Sequence, residues 1–139
     1  FFNKSPPKSL DRNQWDVSSV TEFDLCDAIA TLTQFTVQSV IRSLIHLPDT
    51  PKILYVAGGG RHNKAMMGWL SDALNYPVRP VESLGWNGDA LEAQGFAYLA
   101  VRSLLGLALT LPSTTGISEP STGGVFYKSS KTLEVVSSL

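Results

Sequence analysis

The stretch Lys52–Asn63, KILYVAGGGRHN, constrains the fold more than any other part of the chain. Its apolar residues Ile53–Ala57 predict a buried β-strand, which runs directly into the glycines Gly58–Gly60, and a helical pattern follows over Asn63–Leu74. A strand that ends in glycines and leads into a helix leaves backbone N–H groups open to phosphates or sugars. The pattern therefore predicts a ligand site, although a tight turn without a ligand has the same pattern.

The rest of the chain alternates in the same way. A long helical pattern runs over Ser18–Leu47, a second strand is predicted over Val78–Val81, and a last helix over Asp89–Leu105. Apolar residues at three- and four-residue steps predict the buried face of each helix: Ile29, Leu32 and Phe35 in the first, Met66, Trp69 and Leu70 in the second, and Phe96, Leu104 and Leu105 in the last. The order α-β-α-β-α predicts the α/β class, with the first strand covered on both faces in a parallel sheet. Pro80 predicts that the second strand lies at an edge or ends early.

Several local features carry further expectations. Ser18, Ser19 or Thr21 are candidate caps of the first helix. Asp89 and Glu92 fit a capping box at the start of the last helix. The alternative for Glu92 is that its carboxylate holds a sugar hydroxyl. We expect a last short strand at Val125–Tyr127.

Composition excludes several classes. Hydrophobic residues make up 43% of the 139 residues, the net charge is −1 and no basic patch is present, so we expect a globular domain that does not bind nucleic acid. No apolar run is long enough to span a bilayer. The single cysteine, Cys26, is expected to be buried and favours a reducing compartment. His62 has no second His or Cys at ligand spacing, so we assign no metal ligand.

Two observations indicate a larger assembly. Two strands make a poor sheet, so the helices need more sheet to cover than the chain supplies. The chain also begins at Phe1 rather than at Met. We therefore expect a piece of a longer protein, a processed N-terminus or pairing with a second copy.

Five stretches in order carry a resemblance to a known family. They are PPKSLDR at 6–12, ATLT at 30–33, the strand with GGGRHN at 58–63, LGWNGDALEAQGFAYLAVR at 84–102, and STTG at 113–116 followed by GGVFY at 123–127. Together they closely resemble the C-terminal portion of anhydro-N-acetylmuramic acid kinases.

The resemblance implies an actin-like ATPase or sugar-kinase fold, ribonuclease H-like, with two lobes around a cleft. Residues 1–128 would be part of the C-terminal lobe and 129–139 a flexible tail. Such kinases use ATP and Mg²⁺ to open and 6-phosphorylate 1,6-anhydro-N-acetylmuramic acid, a step of peptidoglycan recycling in the bacterial cytoplasm. We also expect a homodimer. The resemblance places the catalytic base upstream of this chain, so we assign none here and expect the piece alone to be inactive.

The resemblance also suggests individual roles. It places Gly58, Gly59 and Gly60 beside the nucleotide, with Asn63 steadying that loop or the ligand. Glu92 would contact the sugar.

The role of the segment that contains Lys8, Ser9 and Arg12 remains open. Lys8, Ser9 and Arg12 match a family segment whose usual form is PPKSTGRE, from which Leu10-Asp11 departs. Lys8 and Arg12 could reach an anion, or could simply be solvated.

Two other functions remain open. One is a non-catalytic actin-like half domain that binds nucleotide or associates with itself. The other is a dinucleotide-binding domain, which the missing GxGxxG spacing and the absence of an acidic residue about twenty residues on disfavour.

Overall fold

The computed structural model describes residues 1–127, apart from the Arg12 side chain, so the tail at 129–139 lies outside the described residues. The helices are α1 (Leu25–Ser43), α2 (Lys64–Ala73), α3 (Leu91–Leu104) and the short α4 (Pro112–Thr115), and the strands are β1 (Leu54–Val56) and β2 (Val78–Pro80). Short 3-10 helices occupy Arg12–Gln14, Ser18–Val20, Leu44–His46, Gly59–His62 and Val81–Leu84. The α-β-α-β-α order is confirmed, with α4 added.

The two strands pair in parallel, with Leu54 opposite Val78 and Val56 opposite Pro80. Strand β2 ends at Pro80, one residue before the predicted Val81, which agrees with the expectation of an early end. The expectation that β1 is covered on both faces is wrong: Leu54 and Val56 are half-buried, but Tyr55 between them is 37% exposed. One face of the sheet is therefore open within residues 1–127.

The core lies where α1, α2 and the end of β2 meet. Val37 of α1, Leu70 of α2 and Val81 are its fully buried apolar side chains. Leu70 lies on the apolar face that the sequence predicts for α2. In α1 the predicted face is wrong in part, because Ile29, Leu32 and Phe35 are exposed while Val37 is buried.

The first helix begins later than predicted. Asp24 is its N-cap and accepts a hydrogen bond from the Asp27 N–H at 3.0 Å, whereas Ser18 belongs to a separate 3-10 turn. Asp24 can cap the helix because its backbone is extended and its carboxylate accepts a hydrogen bond from the first turn. Cys26 in the first turn is exposed, which corrects its expected burial.

Helix α3 ends in a Schellman motif. Gly106, at φ 67°, donates its N–H to the Ser103 carbonyl at 3.1 Å, and Leu107 donates to Arg102 at 2.9 Å. Beyond it, Thr110 and Ser121 form an isolated antiparallel bridge. The short strand expected at 125–127 is absent from the described residues.

No helix within residues 1–127 is both long enough and apolar enough to cross a membrane.

Candidate functional site

The glycine turn follows β1 directly, at the carboxyl end of the parallel pair. Gly58 has φ 71°, a left-handed conformation that disfavours other residues, and its N–H donates to the Gly88 carbonyl at 3.0 Å. A Cβ placed on Gly58 or Gly59 would meet nothing within 4 Å. The N–H groups of Gly59 and Gly60 have no acceptor within residues 1–127. The turn therefore combines two unpaired backbone donors with open space beside Gly58 and Gly59.

Gly60 differs from its neighbours. A Cβ at this position would lie 2.5 Å from Cε of Met66, so this side of the turn packs on α2. Asn63 carries the link: its N–H donates to the Gly60 carbonyl at 3.0 Å, and its side-chain oxygen caps α2 by accepting from the Met66 N–H at 3.1 Å. Asn63 thus steadies the loop, which leaves its side-chain amide N–H groups free for a ligand.

Arg61 lies behind the turn and is the buried cation of the site. Its side chain is 4% exposed. Nε donates to Glu82 Oε1 at 2.6 Å, and Nη1 donates to the Gly58 carbonyl at 2.7 Å and to Asp89 Oδ1 at 2.8 Å. One guanidinium therefore joins the glycine turn, the end of β2 and the loop before α3.

Gly88 makes this close approach possible. A Cβ at this position would lie 2.5 Å from Arg61 Nε and 2.8 Å from Glu82 Oε1, so a side chain would displace the guanidinium. The Gly88 N–H also donates to Glu82 Oε1 at 3.3 Å. Both backbone groups of Gly88 are thus held, one by Glu82 and one by Gly58.

The charges in this cluster stabilise one another. The hydrogen bond from Arg61 lowers the pKa of Asp89 below its ordinary value. Glu82 also has a lowered pKa, mainly through its own backbone N–H and then through Arg61. The Asp89 carboxylate in turn raises the pKa of Arg61, which stays charged at any physiological pH.

The predicted capping box at α3 is wrong. Asp89 does not cap the helix, because its carboxylate is engaged by Arg61, and the N-cap residue is Ala90 with no side-chain hydrogen bond. Asn87 closes the turn instead, accepting from the N–H groups of Asp89 at 3.0 Å and Ala90 at 3.2 Å. Glu92 remains in the first turn of α3, exposed and without a hydrogen-bond partner in residues 1–127.

The remaining candidates are separate from the turn, except His62. His62 is exposed, and its Nε2 lies 3.7 Å from Asp89 Oδ1. Lys8 does not contact the glycine turn. Its Nζ lies 2.9 Å from Nε2 of His46 and donates to the Phe2 carbonyl at 3.3 Å, so it is not simply solvated. Ser9 is exposed. Residues 1–127 contain no group of three or more His, Cys, Asp or Glu placed to hold a metal ion.

A large groove lies away from the glycine turn. It measures about 970 Å³ and runs between α1 and α2, lined by residues such as Phe35, Gln38 and Trp69. None of the predicted site residues lines it.

Sequence analysis missed Arg61. It is the cation that directly follows the glycines, and two acidic residues flank the loop at Gly85 and Gly88. The opposite charges of Arg61 and these two acidic residues were the sequence signal that could have indicated an ion pair. Sequence spacing alone does not show that Glu82 and Asp89, which lie 21 and 28 residues further on, return to the same point.

An open glycine turn at the carboxyl edge of a parallel α/β sheet is typical of nucleotide-binding α/β proteins. A family model described as anhydro-N-acetylmuramic acid kinase matches residues 1–129. The chain belongs to the anhydro-N-acetylmuramic acid kinase family.

Curated relatives agree with the family model. The chain is 50% identical to the anhydro-N-acetylmuramic acid kinase of Rhizorhabdus wittichii over 128 residues, which are 92% of this chain and 35% of that protein. It is 51% identical to the protein of that name from Zymomonas mobilis, over 89% of this chain and 34% of the relative. It is 47% identical to the protein of that name from Rhodospirillum rubrum, over 96% of this chain and 36% of the relative. The chain thus spans about a third of the length of these relatives.

Proposed function

We propose that the chain is part of the C-terminal lobe of an actin-like, two-lobed kinase that uses ATP. This kinase opens and 6-phosphorylates 1,6-anhydro-N-acetylmuramic acid in bacterial peptidoglycan recycling, in the cytoplasm. Family membership over residues 1–129 and relatives roughly three times as long support this proposal. The observation that carries it is the glycine turn, which follows a parallel strand and is open at Gly58 and Gly59.

The nucleotide side of the site is Gly58–Gly60 with Asn63. Phosphate or ribose oxygens accept the N–H groups of Gly59 and Gly60, which have no partner in residues 1–127. Asn63 fixes the far end of the turn on α2 and keeps its amide N–H groups for the nucleotide. The absence of side chains at Gly58 and Gly59 lets the ligand approach the backbone.

The sugar side of the site is Glu92. Its carboxylate is exposed in the first turn of α3 and is not used in capping, so both oxygens are available to sugar hydroxyls. The short loop from Gly88 to Ala90 leads from the glycine turn to this helix, because the Gly58 N–H donates to the Gly88 carbonyl. Nucleotide and sugar groups therefore attach to neighbouring, directly bonded segments.

Magnesium would be brought by the nucleotide. Mg²⁺ is commonly held by substrate phosphates and a few carboxylates rather than by a dedicated protein cage. Residues 1–127 have no metal-ligating cluster. The ion would neutralise charge on the transferred phosphoryl group, while this lobe supplies positioning.

The α3 surface supports a partner for this lobe. Phe96, Leu104 and Leu105 are between 61% and 67% exposed, although they lie on the apolar pattern of the helix. Exposed apolar surface of this kind marks an interface. We propose that the rest of the kinase or the second subunit of a homodimer covers it.

The test compares two proteins with ATP, Mg²⁺ and the anhydro sugar. The full-length kinase that carries this segment should form a 6-phosphorylated, ring-opened product, whereas the 139-residue chain alone should not, because half a cleft supplies half of the positioning groups. Mass spectrometry of the product checks both. Turnover by the isolated chain, or none by the full-length protein, would contradict the proposal.

A further inference from the structure

Arg61 touches both halves of the proposed site at once. Through Nη1 it holds the carbonyl of Gly58, in the nucleotide turn, and the carboxylate of Asp89, three residues before Glu92. These are the two elements assigned above to two different substrates. A single planar group that bonds both keeps their separation fixed.

We propose that Arg61 is a positioning residue that couples the nucleotide-binding turn to the sugar-binding start of α3. This inference rests on the proposed function. When nucleotide orders the turn, the Gly58 carbonyl and the guanidinium are fixed together, and Asp89 and the start of α3 follow. We expect each substrate to improve the affinity for the other, and linkage requires the two improvements to be equal.

Burial and fit support a specific role rather than a surface ion pair. The Arg61 side chain is 4% exposed, whereas surface pairs contribute little. Gly88 leaves the space that the guanidinium occupies, since a Cβ there would come within 2.5 Å of Nε. Arg61 makes two of its three contacts through one nitrogen, so moving the guanidinium disturbs both loops together.

The exposure of the two carboxylates that pair with Arg61 allows the role of Arg61 to be tested by mutation. Glu82 and Asp89 have side-chain exposures of 44% and 71%, so removal of Arg61 leaves both of them solvated rather than buried and unpaired. We therefore expect Arg61→Met, which keeps the aliphatic stem, to remain folded. Arg61→Lys keeps the charge but not the planar fork.

The experiment measures binding of a non-hydrolysable ATP analogue to the full-length kinase, with and without saturating anhydro sugar. In the wild type the sugar should tighten analogue binding about 5-fold or more, which is the usual lower range of coupling between sites. In Arg61→Met the ratio should fall to about one and kcat should fall about 10²-fold, the size of effect that misplacement produces. Arg61→Lys should recover part of the coupling.

Two further variants separate positioning from folding. Gly88→Ala keeps Arg61 but displaces its guanidinium, and should abolish coupling in the same way. Arg79→Met removes an exposed arginine of β2 whose side chain makes no hydrogen bond in residues 1–127, and should leave coupling and kcat unchanged. Thermal melting of each variant shows whether it is folded at the assay temperature.

The outcomes distinguish the inference from the function on which it rests. An active wild type without coupling overturns the inference alone. So does an active wild type whose folded Arg61→Met and Gly88→Ala variants keep both coupling and kcat. A folded wild type that does not phosphorylate the anhydro sugar overturns the proposed function as well.

Discussion

Helices α2 and α3 begin in similar ways and end up in different surroundings. Each is amphipathic and each follows a glycine-containing loop after a strand of the same parallel pair. Yet α2 has a side-chain cap, Asn63, and buries Leu70 against α1 and the sheet. In contrast, α3 has no side-chain cap and buries none of its residues within residues 1–127.

The difference shows what an apolar pattern can specify. A repeat of three and four residues predicts a helix and its apolar face, but it does not identify the surface that covers that face. For α2 the covering surface is in the described chain. For α3 we propose that it belongs to the rest of the kinase or to a second subunit. Four predictions sharpen this comparison.

The largest expected contrast is between two leucines. In the 139-residue chain, Leu70→Ala should lower the free energy of unfolding by about 2–5 kcal/mol, because it empties a packed site. Leu104→Ala, at a residue 61% exposed, should change it by no more than about 0.5 kcal/mol. Urea denaturation of both variants measures the difference. Equal losses would show that α3 is packed within this chain.

The second contrast concerns the first turns of the two helices. Asn63→Ala removes the cap of α2 and should cost about 1 kcal/mol of unfolding free energy. Glu92→Ala should cost no more than about 0.5 kcal/mol, since its carboxylate has no partner in residues 1–127. In the full-length kinase it should instead weaken sugar binding. A stability loss at Glu92 equal to that at Asn63, with unchanged sugar affinity, would restore the capping role.

The third contrast uses matched glycines in the helix interiors. Gly68 of α2 and Gly95 of α3 both have open space where a Cβ would lie. In the 139-residue chain, alanine at either position should stabilise by about 0.5–1 kcal/mol, because glycine loses more backbone entropy on folding. In the full-length kinase the gain should persist at Gly68 and vanish at Gly95 if another element packs closely on α3. Thermal melts of the four variants, each compared with its unsubstituted parent protein, provide the test.

The smallest expected effect is the pH dependence of the Arg61 cluster. Because Arg61 lowers the pKa of Asp89, the stabilisation from this pair is present above the unfolded pKa, about 4, and is lost as the pH falls through the lower folded value. Arg61→Met should raise the Asp89 pKa toward its ordinary value. NMR titration of the Asp89 side chain in both proteins measures the shift. An identical pKa in the two would show that the ion pair does not form.

Much of this fold was predictable, for identifiable reasons. The strand Leu54–Val56, the turn at Gly58 and the helix after Asn63 follow from local rules: an apolar run, glycines and a polar cap. The early stop at Pro80 follows from the missing N–H of proline. These features need no information about distant residues.

What failed depends on contacts between distant residues. Asp89 has the sequence of a helix cap, but a guanidinium 28 residues earlier binds its carboxylate. Spacing predicts that Ile29 and Leu32 are buried, but tertiary packing leaves them exposed and buries Val37 of α1 instead. The glycine turn was predictable because its geometry depends on residues next to it in the sequence. The buried arginine was missed because its role is defined by three separate loops.

The contact between the glycine turn and the nucleotide can be measured directly. Glycine-selective ¹⁵N labelling of the full-length kinase, titrated with ATP and Mg²⁺, reports the backbone N–H groups that receive the nucleotide. We predict saturable shifts at Gly59 and Gly60, whose N–H groups have no acceptor within residues 1–127, and none at the exposed Gly68 of α2. Saturable ATP binding that leaves Gly59 and Gly60 unshifted would contradict this prediction.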